Sequence, residues 1–206
     1  MNKIILPLAL LALLGAAPAL AADGKALYAA KGCAACHGVD GARPIAGSPV
    51  LAGQNAVYLL RQMTEIADGT RSSAPVKVMK PVIEKTNPDE RKALADWLAT
   101  QKLGEAVAGD AAKAGIVGDA AKAAAGAELF EDNGCIGCHG ADGAKPLADY
   151  PILAGQRRDY LATQIKAIRD EIRSTRRARL MVANVRQFKD VQVEQLAEFL
   201  SQSKRR

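Results

Sequence analysis

Shifted by 102 residues, the chain superimposes on itself. Gly32-Cys33-x-x-Cys36-His37-Gly38 falls on Gly134-Cys135-x-x-Cys138-His139-Gly140, and Leu51-Ala52-Gly53-Gln54 falls on Leu153-Ala154-Gly155-Gln156. Tyr58, Leu59, Gln62, Arg71 and Met79 fall on Tyr160, Leu161, Gln164, Arg173 and Met181; Leu94, Trp97 and Leu98 fall on Leu196, Phe199 and Leu200. The register holds from Gly32 to Leu98 without a gap, which is the mark of a tandem duplication. The repeat predicts two units, 22–103 and 123–206, each near the size at which a hydrophobic core alone is marginal. Three Phe, four Tyr and one Trp leave little flat apolar surface for two ordinary cores. Something other than protein must help to fill them.

Two further segments lie outside the repeat. Residues 1–21 have Lys3, an apolar run from Ile4 to Leu14, and Ala19-Leu20-Ala21, the layout of a cleavable export signal. The rest of the chain contains no apolar run long enough to span a membrane, so a soluble, exported, periplasmic protein is expected. Residues 104–122 are rich in Ala and Gly and read as a linker. Its second Gly-Asp-Ala-Ala-Lys copy runs toward the opening helix of unit two, with Asp119 as a candidate N-cap.

Each unit reads as helical, with no alternating strand pattern. Helices are expected over 24–31, 56–68 and from Pro88, with Asn87 as cap, and in unit two over 126–133, 158–173 and 190–202. The Gly- and Pro-rich stretches 38–53 and 69–81 read as loops. The fold class is therefore all-α, in two tandem domains.

The polar inventory narrows the chemistry. Both histidines of the chain, His37 and His139, directly follow a cysteine, so no His is left for a catalytic base or triad. A net charge of +6 favours acidic partners, but nothing in the pattern supports nucleic-acid binding. Cys-x-x-Cys-His is the attachment sequence of c-type haem: Cys33 and Cys36, and Cys135 and Cys138, would bond the porphyrin vinyl groups, with His37 and His139 as proximal iron ligands. A zinc ribbon needs more ligands than two Cys and one His per unit, and a thioredoxin-like pair needs strands. Two haem c groups are thus the expected cofactors.

The sixth ligand follows by elimination. Met1 leaves with the leader, and Met63 falls on Ile165 and reads as core. Met79 and Met181 fall on each other, each 42 residues beyond its histidine (79 − 37 and 181 − 139), in what reads as a loop before the last helix. His/Met ligation fills both axial positions and raises the potential, as suits an electron carrier rather than an enzyme.

These motifs together (CxxCHGxDG, LAGQ, YLxxQ, the late Met and a closing amphipathic helix, twice over) resemble class I cytochrome c, and in tandem the cytochrome c4 family. The resemblance implies two haem lobes facing each other. It also implies a soluble carrier in a respiratory chain that takes electrons from a quinol-oxidising complex and donates them to a membrane terminal oxidase. Two rivals remain at this level, a dihaem peroxidase and the cytochrome subunit of a flavocytochrome sulfide dehydrogenase. Arg173-Ser174-Thr175-Arg176-Arg177-Ala178-Arg179 reads either as a docking patch for an acidic partner or as a solvated loop pairing with haem propionates. Trp97 and Phe199 are expected to pack on Tyr28 and Phe130 or on the haem. The backbone carbonyls of Pro44 and Pro146 are expected to orient the proximal histidines, and Lys204-Arg205-Arg206 is expected to be a frayed, solvated end.

Overall fold

The computed structural model describes residues 23–103 and 118–205, so the export signal and all but the last residues of the linker lie outside the described residues. Among the described residues every regular element is helical. Lobe one contains α1 (Gly24–Ala30), α2 (Ala34–His37), α3 (Ala56–Ala67), α4 (Lys80–Ile83) and α5 (Pro88–Thr100). Lobe two contains α6 (Ala120–Asp132), α7 (Ile136–His139), α8 (Arg158–Arg169), α9 (Arg176–Val185) and α10 (Asp190–Gln202).

The helix starts follow local chemistry. Asp23 accepts from Lys25 N at 2.9 Å, Asn55 from Tyr58 N at 3.1 Å and Asp119 from Lys122 N at 3.0 Å. Asn87 and Glu90 form a capping box, with Pro88 in the first turn of α5. Asp119 thus caps α6 six residues earlier than the repeat alone suggests, and the linker yields its last residues to that helix.

In each lobe the first helix crosses the last. The crossing is close because its central residue has no side chain: a Cβ on Gly24 would collide with the Ala93 carbonyl oxygen, and one on Gly126 with that of Gln195. Aromatic pairs seal the crossings, Tyr28 on Trp97 at 4.8 Å and Phe130 on Phe199 at 5.7 Å, both tilted. Trp97 and Phe199 therefore pack as expected. The third wall is α3 or α8, whose buried stripes are Leu59, Met63 and Ile66, and Leu161, Ile165 and Ile168.

Two expectations need correction. The segment before the last helix is largely turns in lobe one, as expected, but not in lobe two. In lobe two it is the ten-residue helix α9, with Ala178 and Val185 buried and Met181 half-buried on one face. In lobe one Pro75 and Pro81 occupy positions held by Arg177 and Ala183, and the helix breaks into a 3-10 turn (Ala74–Val76) and the short α4. At the C-terminal end Lys204 is exposed as expected, Arg206 lies outside the described residues, and Arg205 is not solvated: it is half-buried between the lobes, donating to Ala154 O at 3.0 Å and also to Ala52 O, the same position in the two repeats.

Replacing Gly24 or Gly126 by Ala should cost about 1–3 kcal/mol through overpacking at the crossing. Gly137→Ala should cost nothing, since a Cβ there meets no atom and lobe one already has Ala35. Denaturant unfolding of the haem-loaded protein measures all three.

Candidate functional site

The Cys-x-x-Cys-His segments form the single-turn helices α2 and α7, entered from the ends of α1 and α6. Gly38 and Gly140 follow with φ of 79° and 71°, and a Cβ on either would strike the carbonyl of Arg43 or Lys145. Only glycine allows the chain to double back there. That turn places each histidine beneath its lobe, 3% exposed. None of the four cysteines is in a disulfide; Cys36 is exposed and the others are half-buried. Burial pushes the Cys33 and Cys135 thiols up.

Each imidazole is held by one nitrogen. His37 Nδ1 lies 3.0 Å from Pro49 O and His139 Nδ1 lies 3.2 Å from Pro151 O. Pro44 and Pro146 do not supply these contacts. They lead into a different turn, in which Ile45 N and Leu147 N donate to Cys36 O and Cys138 O. Donation from Nδ1 puts the lone pair on Nε2, and both Nε2 atoms are buried without a protein partner. Burial pushes both imidazoles down, against the opposing pull of the proline carbonyls, so they are neutral and able to ligate.

Both sites open on one continuous cavity through the two lobes, an empty volume of about 2240 Å³ with its mouths included. Met79, at the N-terminus of α4, and Met181, within α9, line it, and so does Met63, which belongs to the core of lobe one.

The lobes meet around a local two-fold arrangement. Gln54 pairs with the backbone of Ile152, donating to its carbonyl and accepting from its N–H, both at 2.8 Å. Gln156 does the same to Val50, at 3.0 and 2.7 Å. Nearer the cavity, Arg71 donates to Gln62 at 2.8 Å, Gln164 at 2.9 Å and the Tyr160 hydroxyl at 3.2 Å. Arg173 mirrors it on Gln164, Gln62 and Tyr58. Burial works to raise the Tyr58 phenol, but Arg173, Arg71 and Arg61 outweigh it and hold it below the ordinary tyrosine value.

Arg173 is thus 9% exposed, so it is neither a surface docking residue nor solvated, and only the pairing with haem propionates read for its segment fits it. Arg177 is tied to Asp149, which also binds Arg61 of lobe one at 2.9 Å. Only Arg176 and Arg179 remain exposed and, among the described residues, without an acidic partner. Arg177 also lies over Tyr150, which meets His139 edge-on at 5.7 Å. Lobe one has Gly47, Ser48 and Pro75 at the corresponding positions, so this cluster breaks the symmetry.

The residues present fit the group that the motifs imply. In lobe one both thiols and His37, with its unpartnered Nε2, line the cavity; in lobe two Cys135 and His139 line it, and Cys138 lines a small pocket beside them with Met181. Apolar walls would exclude water from a flat macrocycle. Arg71 and Arg173 are buried with no carboxylate within bonding distance and with both Nε atoms unpartnered, a donor set suited to the carboxylates that a haem carries. Sequence reasoning missed the two arginines and the four glutamines as functional groups. The signal was present, since each of these polar residues recurs at the 102-residue spacing.

The family model of cytochrome c matches residues 21–102 and 123–204. The chain is 37% identical over 185 residues to cytochrome c4 of Stutzerimonas stutzeri, covering 82% of this chain and 83% of that protein. It is 33% identical over 210 residues to a thiosulfate dehydrogenase electron acceptor of Stutzerimonas stutzeri strain A1501, covering 98% and 96%. Its fold is similar to that of reduced recombinant cytochrome c4 from Pseudomonas stutzeri, with a TM-score of 0.71 and 29% identity over 88% of this chain and 97% of that one.

Because Arg71 and Arg173 share the Gln62 and Gln164 oxygens, their losses should not add. A double-mutant cycle with Arg71→Leu and Arg173→Leu, read by denaturant unfolding, should give a coupling of about 0.5–3 kcal/mol; simple additivity would contradict the shared network.

Proposed function

Because the chain belongs to the cytochrome c family, and within it to the cytochromes c4, we propose that it is a soluble periplasmic shuttle in a respiratory chain, donating single electrons to a membrane terminal oxidase. That it is a dihaem electron carrier with two haem c groups follows from the family itself. The finer reading rests above all on the paired, unpartnered histidine Nε2 atoms that face one cavity shared by both lobes.

Bound through Cys33 and Cys36, and through Cys135 and Cys138, haem c supplies a one-electron couple whose potential is raised by His/Met ligation. His37 and His139 would hold the two groups through Nε2, with Met79 and Met181 as the second protein ligands. With His and Met both supplied by the protein, no site would be left for peroxide or dioxygen. The side chains around them keep water out, and Arg71 and Arg173 offset negative charge at the centre. Since both sites line one cavity, electrons can pass between lobes without crossing bulk solvent.

Apolar side chains stand exposed at equivalent positions of the two lobes, Ile45 and Val78 in one and Leu147 and Leu180 in the other. Arg176 and Arg179 flank Leu180, which suits an acidic partner at lobe two. The leader at residues 1–21 supports export, and no helix among the described residues is long and apolar enough to cross a membrane. For the electron donor, the sequence reading favours a quinol-oxidising complex. The near full-length likeness to a thiosulfate dehydrogenase electron acceptor supports a second donor, a thiosulfate dehydrogenase.

Stopped-flow mixing with each donor, and with oxidase-containing membranes, tests the role. Oxidation should slow as salt rises and slow further in Arg176→Glu/Arg179→Glu. Rapid peroxide turnover, with carbon monoxide binding at one iron, would instead mark a peroxidase. The ligands have their own test: Met79→Ala and Met181→Ala should each remove part of the far-red sulfur-to-iron charge-transfer band of the ferric protein, and Met63→Leu should leave it intact.

A further inference from the structure

The contacts that hold the lobes together also reach the segments that hold the histidines. His139 is anchored by the carbonyl of Pro151, and the next residue, Ile152, has both of its backbone polar groups bonded by Gln54 of lobe one. His37 is anchored by the carbonyl of Pro49, and the next residue, Val50, is bonded in the same way by Gln156 of lobe two. Gln54 and Gln156 are 3% and 5% exposed; Val50 is 1% exposed, so water does not substitute for its bonds, and Ile152 is half-buried. Each glutamine oxygen also accepts from the following backbone N–H, Asn55 N at 2.9 Å and Arg157 N at 3.0 Å, which fixes its rotamer from its own side.

We propose that each glutamine is a positioning residue for the histidine of the opposite lobe: Gln54 sets the basicity and aim of His139, and Gln156 those of His37. A carbonyl aligned on Nδ1–H makes Nε2 a stronger donor and fixes the ring plane. Released from its glutamine, the Pro-Ile or Pro-Val segment loses its buried partners and shifts, the Nδ1 bond weakens, and the oxidised iron is less well stabilised. The potential of that haem rises. Lobe packing and the redox properties of each site are therefore coupled crosswise. This rests on the assignment of His37 and His139 as iron ligands.

The test is a pair of mirrored variants of the full haem-loaded protein, titrated potentiometrically with the two haems resolved by NMR of their methyl resonances. In Gln54→Ala the one-electron reduction equilibrium of the lobe-two haem should shift by about tenfold, equivalent to 59 mV, with lobe one unmoved. In Gln156→Ala the lobe-one haem should move and lobe two should not. A shift in the mutated lobe itself, equal shifts in both, or none in either would overturn the proposal. If an alanine variant fails to load haem, Gln54→Glu and Gln156→Glu, which keep the acceptor for the Ile152 and Val50 N–H, carry the same crossed test with a smaller shift. An unmutated protein whose irons lack the low-spin signature of histidine ligation would overturn the ligand assignment itself; normal spectra without the crossed pattern would overturn only the positioning role.

Discussion

A lobe of roughly eighty residues whose small packed core also lines a cofactor cavity has too little internal contact to hold itself together on side chains alone. Everything else in this protein answers to that constraint. The helix crossings at Gly24 and Gly126 are drawn as tight as backbone permits, and they close one side of each lobe. The side opposite is left open to the cavity, and its lining is completed by the cofactor and by the other lobe. The apparent poverty in aromatic residues has the same origin: the largest flat apolar surface in each core is covalently supplied and is not encoded as a side chain.

The second consequence concerns charge. Burying a guanidinium without an acid beside it is costly, yet two arginines are buried between the lobes and a third is half-buried there. Arg71 and Arg173 are bonded to neutral amides and phenols, and Arg205 to backbone carbonyls. Burial alone pushes Arg205 down to about 10. Among the described residues the one carboxylate in the buried class, Glu198, is taken by Arg158 at 2.8 Å. The centre of the molecule is thus electropositive, which suits a prosthetic group that brings carboxylates with it. Cofactor and interface stabilise one another, and neither is complete alone.

Much of this was legible in the sequence. The repeat gave the two lobes, and Cys-x-x-Cys-His with the chain's lack of other histidines gave the cofactor. Asn87-Pro88 and Asp119 gave two helix starts to the residue. What stayed hidden has physical reasons. The acceptors for the histidine Nδ1 atoms are backbone carbonyls, which carry no residue identity, so Pro44 was as plausible a source as Pro49 until the loop was folded. Arg173 sits among other arginines, and a run of charge ordinarily marks solvent. Only its recurrence as Arg71 separates it from its neighbours Arg176 and Arg179, which do face water. The α9 helix was masked by its lobe-one counterpart, where two prolines interrupt the same segment. The Asp149-Tyr150-Arg177 cluster left no trace, because it is present once and a repeat reveals only what is present twice.

The glutamine contacts carry one more implication. Gln54 meets Ile152, and Gln156 meets Val50, but Val50 and Ile152 are the same position of the repeat, as are the two glutamines. A single lobe therefore contains both halves of the contact and is complementary to a copy of itself, which is the defining property of a two-fold symmetric homodimer interface. The tandem chain keeps that complementary partner permanently beside it. Within one chain the two halves can also differ, and Arg61, Asp149, Tyr150 and Arg177 form a cluster that a symmetric pair could carry only on both sides at once.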